Sequence, residues 1–122
     1  MLSSSPMLAA ALLAWLPADP ARADTLPEKA FTCNFGHVYN NETNRAAVLT
    51  VQVFNGCSGL EETIEINLIL PDGPGETVKE VRQRETRAVS IEVPQGGAVQ
   101  VRGPGGSGEF KSSFSVVPRS VR

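Results

Sequence analysis

The sequence predicts an all-β domain: a small antiparallel β-sandwich of Ig-like type, with six or seven strands and one disulfide. Three observations predict it. Apolar residues alternate with polar ones in short runs, as they do on half-buried strands. Gly- and Pro-rich punctuation separates the runs at short spacing. The two cysteines, Cys33 and Cys57, form an even count in a chain that carries an export signature.

That signature occupies residues 1–23, which read as a cleavable signal peptide. Residues 7–16 form an apolar run too short to span a bilayer, and Ala21-Arg22-Ala23 is an A-x-A pattern of the kind signal peptidase cuts after. Cleavage is expected before Asp24. The first six residues lack the usual Lys or Arg. No later apolar run is long enough to act as a membrane anchor after cleavage. The expected organisation is therefore a signal peptide over 1–23, one sandwich domain over 24–118 and a frayed tail over 119–122, in a periplasmic or secreted protein. There a Cys33–Cys57 disulfide would persist, closing a loop of about 24 residues and worth about 3 kcal/mol in the chain-entropy picture.

Residues 24–29 hold Pro27 and little apolar character, and read as a loose leader. Phe31, Cys33 and Phe35 alternate with Thr32 and Asn34 as a first strand, which Gly36 ends or bulges before His37-Val38-Tyr39. The polar cluster 40–44 is a turn. Leu49, Val51 and Val53 alternate within residues 46–54, and Ile64, Ile66, Leu68 and Leu70 within 64–70. Asn55-Gly56-Cys57-Ser58-Gly59 reads as the connection between these runs, pinned to the first strand through Cys57. Pro71-Asp72-Gly73-Pro74-Gly75 reverses the chain.

Residues 76–87 admit two readings. Val78 and Val81 stand three apart among helix-favouring residues, which suits a helical turn. A charged edge strand with a bulge fits the β-patterned neighbours better, since Lys and Arg on an edge protect it from pairing with other chains. Val89, Ile91 and Val93, then Pro94-Gln95-Gly96-Gly97, then Val99 and Val101 read as a hairpin over 88–102. Residues 103–108 are a flexible connection, and Phe110, Ser112, Phe114 and Val116 mark the last strand.

Charge is unevenly laid out. Residues 24–78 carry eight acids against two bases, a net of −6, whereas in residues 79–122 eight bases face four acids, a net of +4. Opposite charges paired across strand ladders account for such a layout. The net charge of −2, the low aromatic content and the interleaved glutamates disfavour nucleic acid as a partner.

Chemistry-bearing motifs are few. One histidine, His37, excludes His-His metal arrangements and leaves any nucleophile one imidazole. It reads as a surface or capping histidine. Ser58 lacks the G-x-S-x-G context of a nucleophile elbow and reads as a turn serine. The acids Glu61, Glu62, Glu65 and Asp72 lack a calcium-loop pattern. No catalytic residue, metal site or cofactor is expected, and the chain does not read as an enzyme. Asn41-Glu42-Thr43 is formally a glycosylation acceptor. The densest basic group is Lys79, Arg82, Arg84 and Arg87, a candidate binding set: on an alternating strand Arg82 and Arg84 would share one face, able to meet an acidic partner, a phosphate or a sulfated glycan, whereas as a solvated edge they would do nothing specific.

The expected function is that of an exported, non-catalytic module that binds a protein or glycan, or packs into a surface assembly, through a sheet edge or turn loops. The alternative is an inhibitor or regulator of an extracytoplasmic enzyme, with a polar loop filling the enzyme's cleft. The broad look of an exported one-disulfide sandwich is shared by bacterial adhesin and pilin-like modules and by small periplasmic inhibitors, and no motif here singles out either.

Overall fold

The computed structural model describes residues 24–59 and 63–119. The signal-peptide reading of 1–23 lies outside the described residues, as do residues 120–122. Eight strands follow one another: β1 (Asp24–Thr32), β2 (Gly36–Asn40), β3 (Ala47–Ser58), β4 (Ile64–Ile69), β5 (Glu76–Val81), β6 (Thr86–Val93), β7 (Ala98–Arg102) and β8 (Ser107–Pro118). They form two antiparallel four-stranded sheets, sheet A in the order β1-β8-β3-β6 and sheet B in the order β2-β7-β4-β5. The expected sandwich is present, with eight strands in place of six or seven.

The sheets are held by their alternation. Along β3 every second residue from Ala47 to Cys57 is buried or faces inward, and Leu49, Val51 and Val53 are fully buried. They meet Ile64 and Ile66 of β4, Val99 and Val101 of β7, and Phe110, Phe114 and Val116 of β8 in one core. Burying such a side chain contributes about 1.5–3 kcal/mol. The Cys33–Cys57 disulfide, with Cα atoms 5.8 Å apart, lies fully buried at one end of this core. A disulfide in this position fits the periplasm or the cell exterior.

Three sequence readings are corrected here. Residues 24–29 are not a loose leader: they belong to β1, which pairs with β8 from Asp24↔Val116 to Thr32↔Glu109. Pro27 is accommodated because β1 is an edge strand and its register shifts between Leu26 and Lys29, a bulge in which no ladder N–H is demanded of proline. Likewise 55–58 are not a turn. β3 continues through them, paired with β8 as far as Ser58↔Ser107. Asn55 is polar for a different reason: its buried amide donates to the Val81 carbonyl at 2.8 Å. Gly56 is a glycine because a Cβ there would lie 2.5 Å from the Glu109 carbonyl oxygen of β8.

The third correction concerns residues 88–102, which are not a hairpin. β6 pairs with β3 in sheet A, whereas β7 pairs with β2 and β4 in sheet B. Residues 94–97 do turn the chain, with Gly97 N–H donating to the Pro94 carbonyl at 2.9 Å. The turn carries the chain across the sandwich, so Ile91 and Val93 enter the core from one sheet and Val99 and Val101 from the other. Only β4 and β5 are consecutive strands of the same sheet.

Residues 76–87 settle as strand followed by turn, not as a helical turn. The register shifts between Ile66↔Lys79 and Asn67↔Thr77, so Val78 is the extra residue of a bulge. The bulge resets the alternation, and Val78 and Val81, three apart, both reach the core side. β5 is an edge strand of sheet B, and residues 82–85 turn the chain into β6, an edge of sheet A. On the opposite side, edge strands β1 and β2 lie together, with Phe31 stacked on His37.

Candidate functional site

The basic set divides. An open groove of about 560 Å3 beside β5 is lined by Lys79, Arg82 and Arg87 together with Glu80 and Glu85. Arg84 does not line it. Arg82 and Arg84 do not share a strand face, because both sit in the 82–85 turn, where Arg84 takes a left-handed backbone (φ 66°) and donates its N–H to the Asn55 carbonyl at 2.7 Å. Such tight turns form where strands of different sheets must be joined over few residues, and alternation cannot pass through them.

Within the groove Glu85 organises the charges. Its carboxylate accepts from Arg87 Nη2 at 2.7 Å and from the backbone N–H of Arg82 at 2.9 Å. The hydrogen bond from Arg87, then that from Arg82, lower the Glu85 pKa, and the same pairing raises that of Arg87. Arg87 is exposed and Glu85 only partly covered, so the pair is worth little to stability. Arg87 is thus committed locally, whereas Lys79, Arg82 and Arg84 form no ion pair among the described residues. Among the described residues the cross-strand pairing expected between the oppositely charged halves occurs once in clear form, at Arg102 and Glu65, 3.6 Å apart on neighbouring strands β7 and β4.

Of the turn loops, 40–44 is built into the fold. Asn41 is buried; its Nδ2 donates to the carbonyls of Arg45, Val93 and Pro94 at 3.0–3.1 Å, and its Oδ1 accepts from Thr43 N–H at 3.0 Å. The Asn41-Glu42-Thr43 pattern therefore serves this loop, because a glycan on Nδ2 would take the place of those bonds. The loop at 71–75 is the reverse case: all five residues are exposed, and nothing lies within 4 Å of where a Cβ on Gly73 would sit. Ser58 is a strand residue, its hydroxyl 3.1 Å from that of Ser107 on β8.

A second region was not singled out from the sequence. At the open β1–β2 side, rings gather from four segments. Phe31 of β1 stacks on Phe35, His37 and Phe110, with centroids 5.4, 4.7 and 5.4 Å away, and Phe114 lies 5.2 Å from both His37 and Tyr39. Phe35 is 45% exposed at the rim. His37 is half-buried, neither a plain surface residue nor a cap; burial first, and the Lys29 ammonium second, push its pKa below the ordinary 6.5. These rings are scattered between residues 31 and 114 in sequence, so only the pairing of β1 with β8 brings them together. The available signal was the alternation of β2, which puts His37 and Tyr39 on one face.

Among the described residues no three His, Cys, Asp or Glu side chains are placed to hold a metal. No family model matches the chain, and no curated protein matches it. Among solved structures it is similar to the crystal structure of Aeromonas hydrophila PliG, a periplasmic lysozyme inhibitor of g-type lysozyme. The identity is 16%, the TM-score 0.49, and the match covers 85% of this chain and 92% of that chain.

Proposed function

We propose that this chain is an exported, non-catalytic domain that binds an acidic protein surface through the β5 edge and the turn that follows it. One observation carries the reading: Lys79 and Arg82 line an open groove at a sheet edge with their side-chain charges in no ion pair among the described residues, while Arg87 is held in place by Glu85. The bulge at Val78 and the lysine beside it discourage addition of a further strand. Contact is therefore made by side chains. Charges of this kind steer a partner and fix its register more than they supply raw affinity.

The test is a capture experiment on a cell-envelope extract with the oxidised chain and with a Lys79→Glu/Arg82→Glu double variant. A protein retained by the first and lost with the second is the expected result. Equal retention by both would overturn the reading.

A second reading is favoured by the 71–75 loop, whose full exposure presents a projection in which two prolines fix φ. In that reading the partner is an extracytoplasmic enzyme and the loop enters its cleft. A captured partner whose enzymatic activity falls stoichiometrically, and recovers when residues 72–74 are replaced by Gly-Ser-Gly, supports inhibition; an uninhibited partner supports simple binding.

A further inference from the structure

Along β8 the core-facing series Phe110, Ser112, Phe114 and Val116 is apolar except for Ser112. Ser112 is 2% exposed, and its hydroxyl has no hydrogen-bond partner among the described residues. Leaving a buried hydroxyl unpaired costs about 1–3 kcal/mol. Alanine or valine at this position would avoid that cost, so the hydroxyl calls for a partner from outside the chain.

It lines a cavity of about 80 Å3 at the open β1–β2 side. Leu26, Phe31 and Phe114 form the apolar walls, and the polar atoms come from Ser112, His37 and Lys29. The ladder sets Lys29 directly opposite Ser112, and the β1 bulge after Leu26 establishes that register. His37 is fixed by its stacking on Phe31 and Phe114. Among the described residues no carboxylate lines the cavity.

We propose that Lys29, His37 and Ser112 form a recognition pocket for a small carboxylate group between edge strands β1 and β2. The chemistry is one of matching. Lys29 can only donate, so even where it reaches the Ser112 oxygen it cannot accept the Ser112 O–H, and both groups call for an added acceptor. A carboxylate offers two oxygens with room for several donors and supplies the charge that Lys29 lacks nearby. The imidazole of His37 adds a donor at the rim. The volume corresponds to about two or three waters at about 30 Å3 each, enough for a carboxylate with one or two methylenes inside the pocket. The methylenes meet Leu26 and the phenyl walls. The group comes either from a free short-chain acid or from the side chain of a glutamate or aspartate in a polypeptide. This pocket is on the opposite side of the sandwich from the β5 groove and does not depend on the reading given to that groove.

Bound carboxylate reverses the electrostatics around His37. From β1 the groups facing it are Lys29 and Phe31, from the following turn Phe35, and from β8 Ser112 and Phe114; of these only Lys29 is charged. An anion beside the ring favours the imidazolium, so the ligand binds more tightly as pH falls through the imidazole range.

The oxidised full chain is titrated with sodium propionate, with propionamide as the neutral isostere, with sodium chloride as the salt control and with Nα-acetyl-glutamate amide as the side-chain form. The His37 ring protons and the Ser112 amide are followed by NMR. The expected result is a saturable shift of both signals with one or both carboxylates and with neither control. Binding should weaken by about tenfold or more in Ser112→Ala, as loss of a hydrogen bond to a charged group predicts, and also in Lys29→Gln. Ser112→Ala should at the same time melt no lower than wild type, because it removes an unpaired hydroxyl. Saturation by propionate alone identifies a free acid as the ligand, and saturation by the blocked glutamate a polypeptide side chain. No saturation, equal shifts with propionamide or chloride, or unchanged binding by Ser112→Ala would overturn the proposal and leave the hydroxyl to water.

Discussion

The side-chain amide of Asn55 on β3 donates to the main-chain carbonyl of Val81 at the end of β5, 2.8 Å away, and thereby joins sheet A to sheet B through a fully buried polar contact. Its Oδ1 accepts from the Cys57 N–H at 2.9 Å. Asn55→Ala leaves both backbone groups buried without those partners. The expected loss is about 2–4 kcal/mol of unfolding free energy, read as a lower urea midpoint at unchanged slope. A midpoint within experimental scatter of wild type would show that the two backbone groups find other partners.

The disulfide acts on the same end of the sandwich. Cys33 is fully buried, and its carbonyl accepts from the Gly105 N–H at 2.8 Å, so the staple also positions residues 103–106. Replacing both cysteines with alanine should cost about 3 kcal/mol and increase hydrogen exchange at Gly105. A thiol assay on the native chain should find no reactive thiols; two would contradict the bond.

His37 makes stability pH-dependent. Its folded-state pKa lies below the ordinary 6.5, owing first to burial and then to Lys29. Protonation is therefore easier in the unfolded chain. The stabilisation is fully present above about pH 6.5 and is lost as pH falls through the lowered folded value. Thermal melts across that window should show the loss. Lys29→Gln should reduce it and leave the larger part, due to burial, in place; His37→Gln should abolish it.

Glycine substitutions separate a crowded site from an open one. A Cβ on Gly56 would meet the Glu109 carbonyl oxygen at 2.5 Å and the Phe54 ring at 3.1 Å. Gly56→Ala must push β3 and β8 apart, at a cost of about 1–3 kcal/mol. Gly73→Ala has nothing within 4 Å and should leave the unfolding free energy within about 0.5 kcal/mol of wild type. Equal effects from both would mean that backbone entropy, not crowding, governs them.

The parts of this fold that could be read from sequence were those determined by local period. Leu49, Val51 and Val53, or Val99 and Val101, announce strands because their alternation is a property of the residues themselves. Sheet membership is not. Pro94-Gln95-Gly96-Gly97 has the chemistry of a reversal whether the chain folds back on its neighbour or crosses to the other sheet, and it crosses. Asn55-Gly56 resembled a turn for the same reason: a polar residue that spans two sheets and a glycine that admits a neighbouring carbonyl use turn-favouring residue types in mid-strand. The three-residue spacing of Val78 and Val81 imitated a helix because one bulge had shifted the phase. The basic residues were visible as a group, yet the turn at 82–85 took Arg84 out of it. The Lys29–His37–Ser112 pocket was legible only in one detail, a serine in an apolar series on β8. Its other walls depend on β1 reaching β8, a pairing that nothing in residues 24–29 proclaims.

That pairing also sets an order of events. β1 is an edge strand whose one neighbour in sheet A is β8. A chain delivered from its N-terminus therefore presents its first strand well before the complement for it has appeared, and sheet A can be completed only when residues 107–118 have emerged. Contacts between such distant segments make for slow folding and a long interval with open strand edges. The ring cluster and the carboxylate pocket, which need both strands, would be the last features of the domain to form.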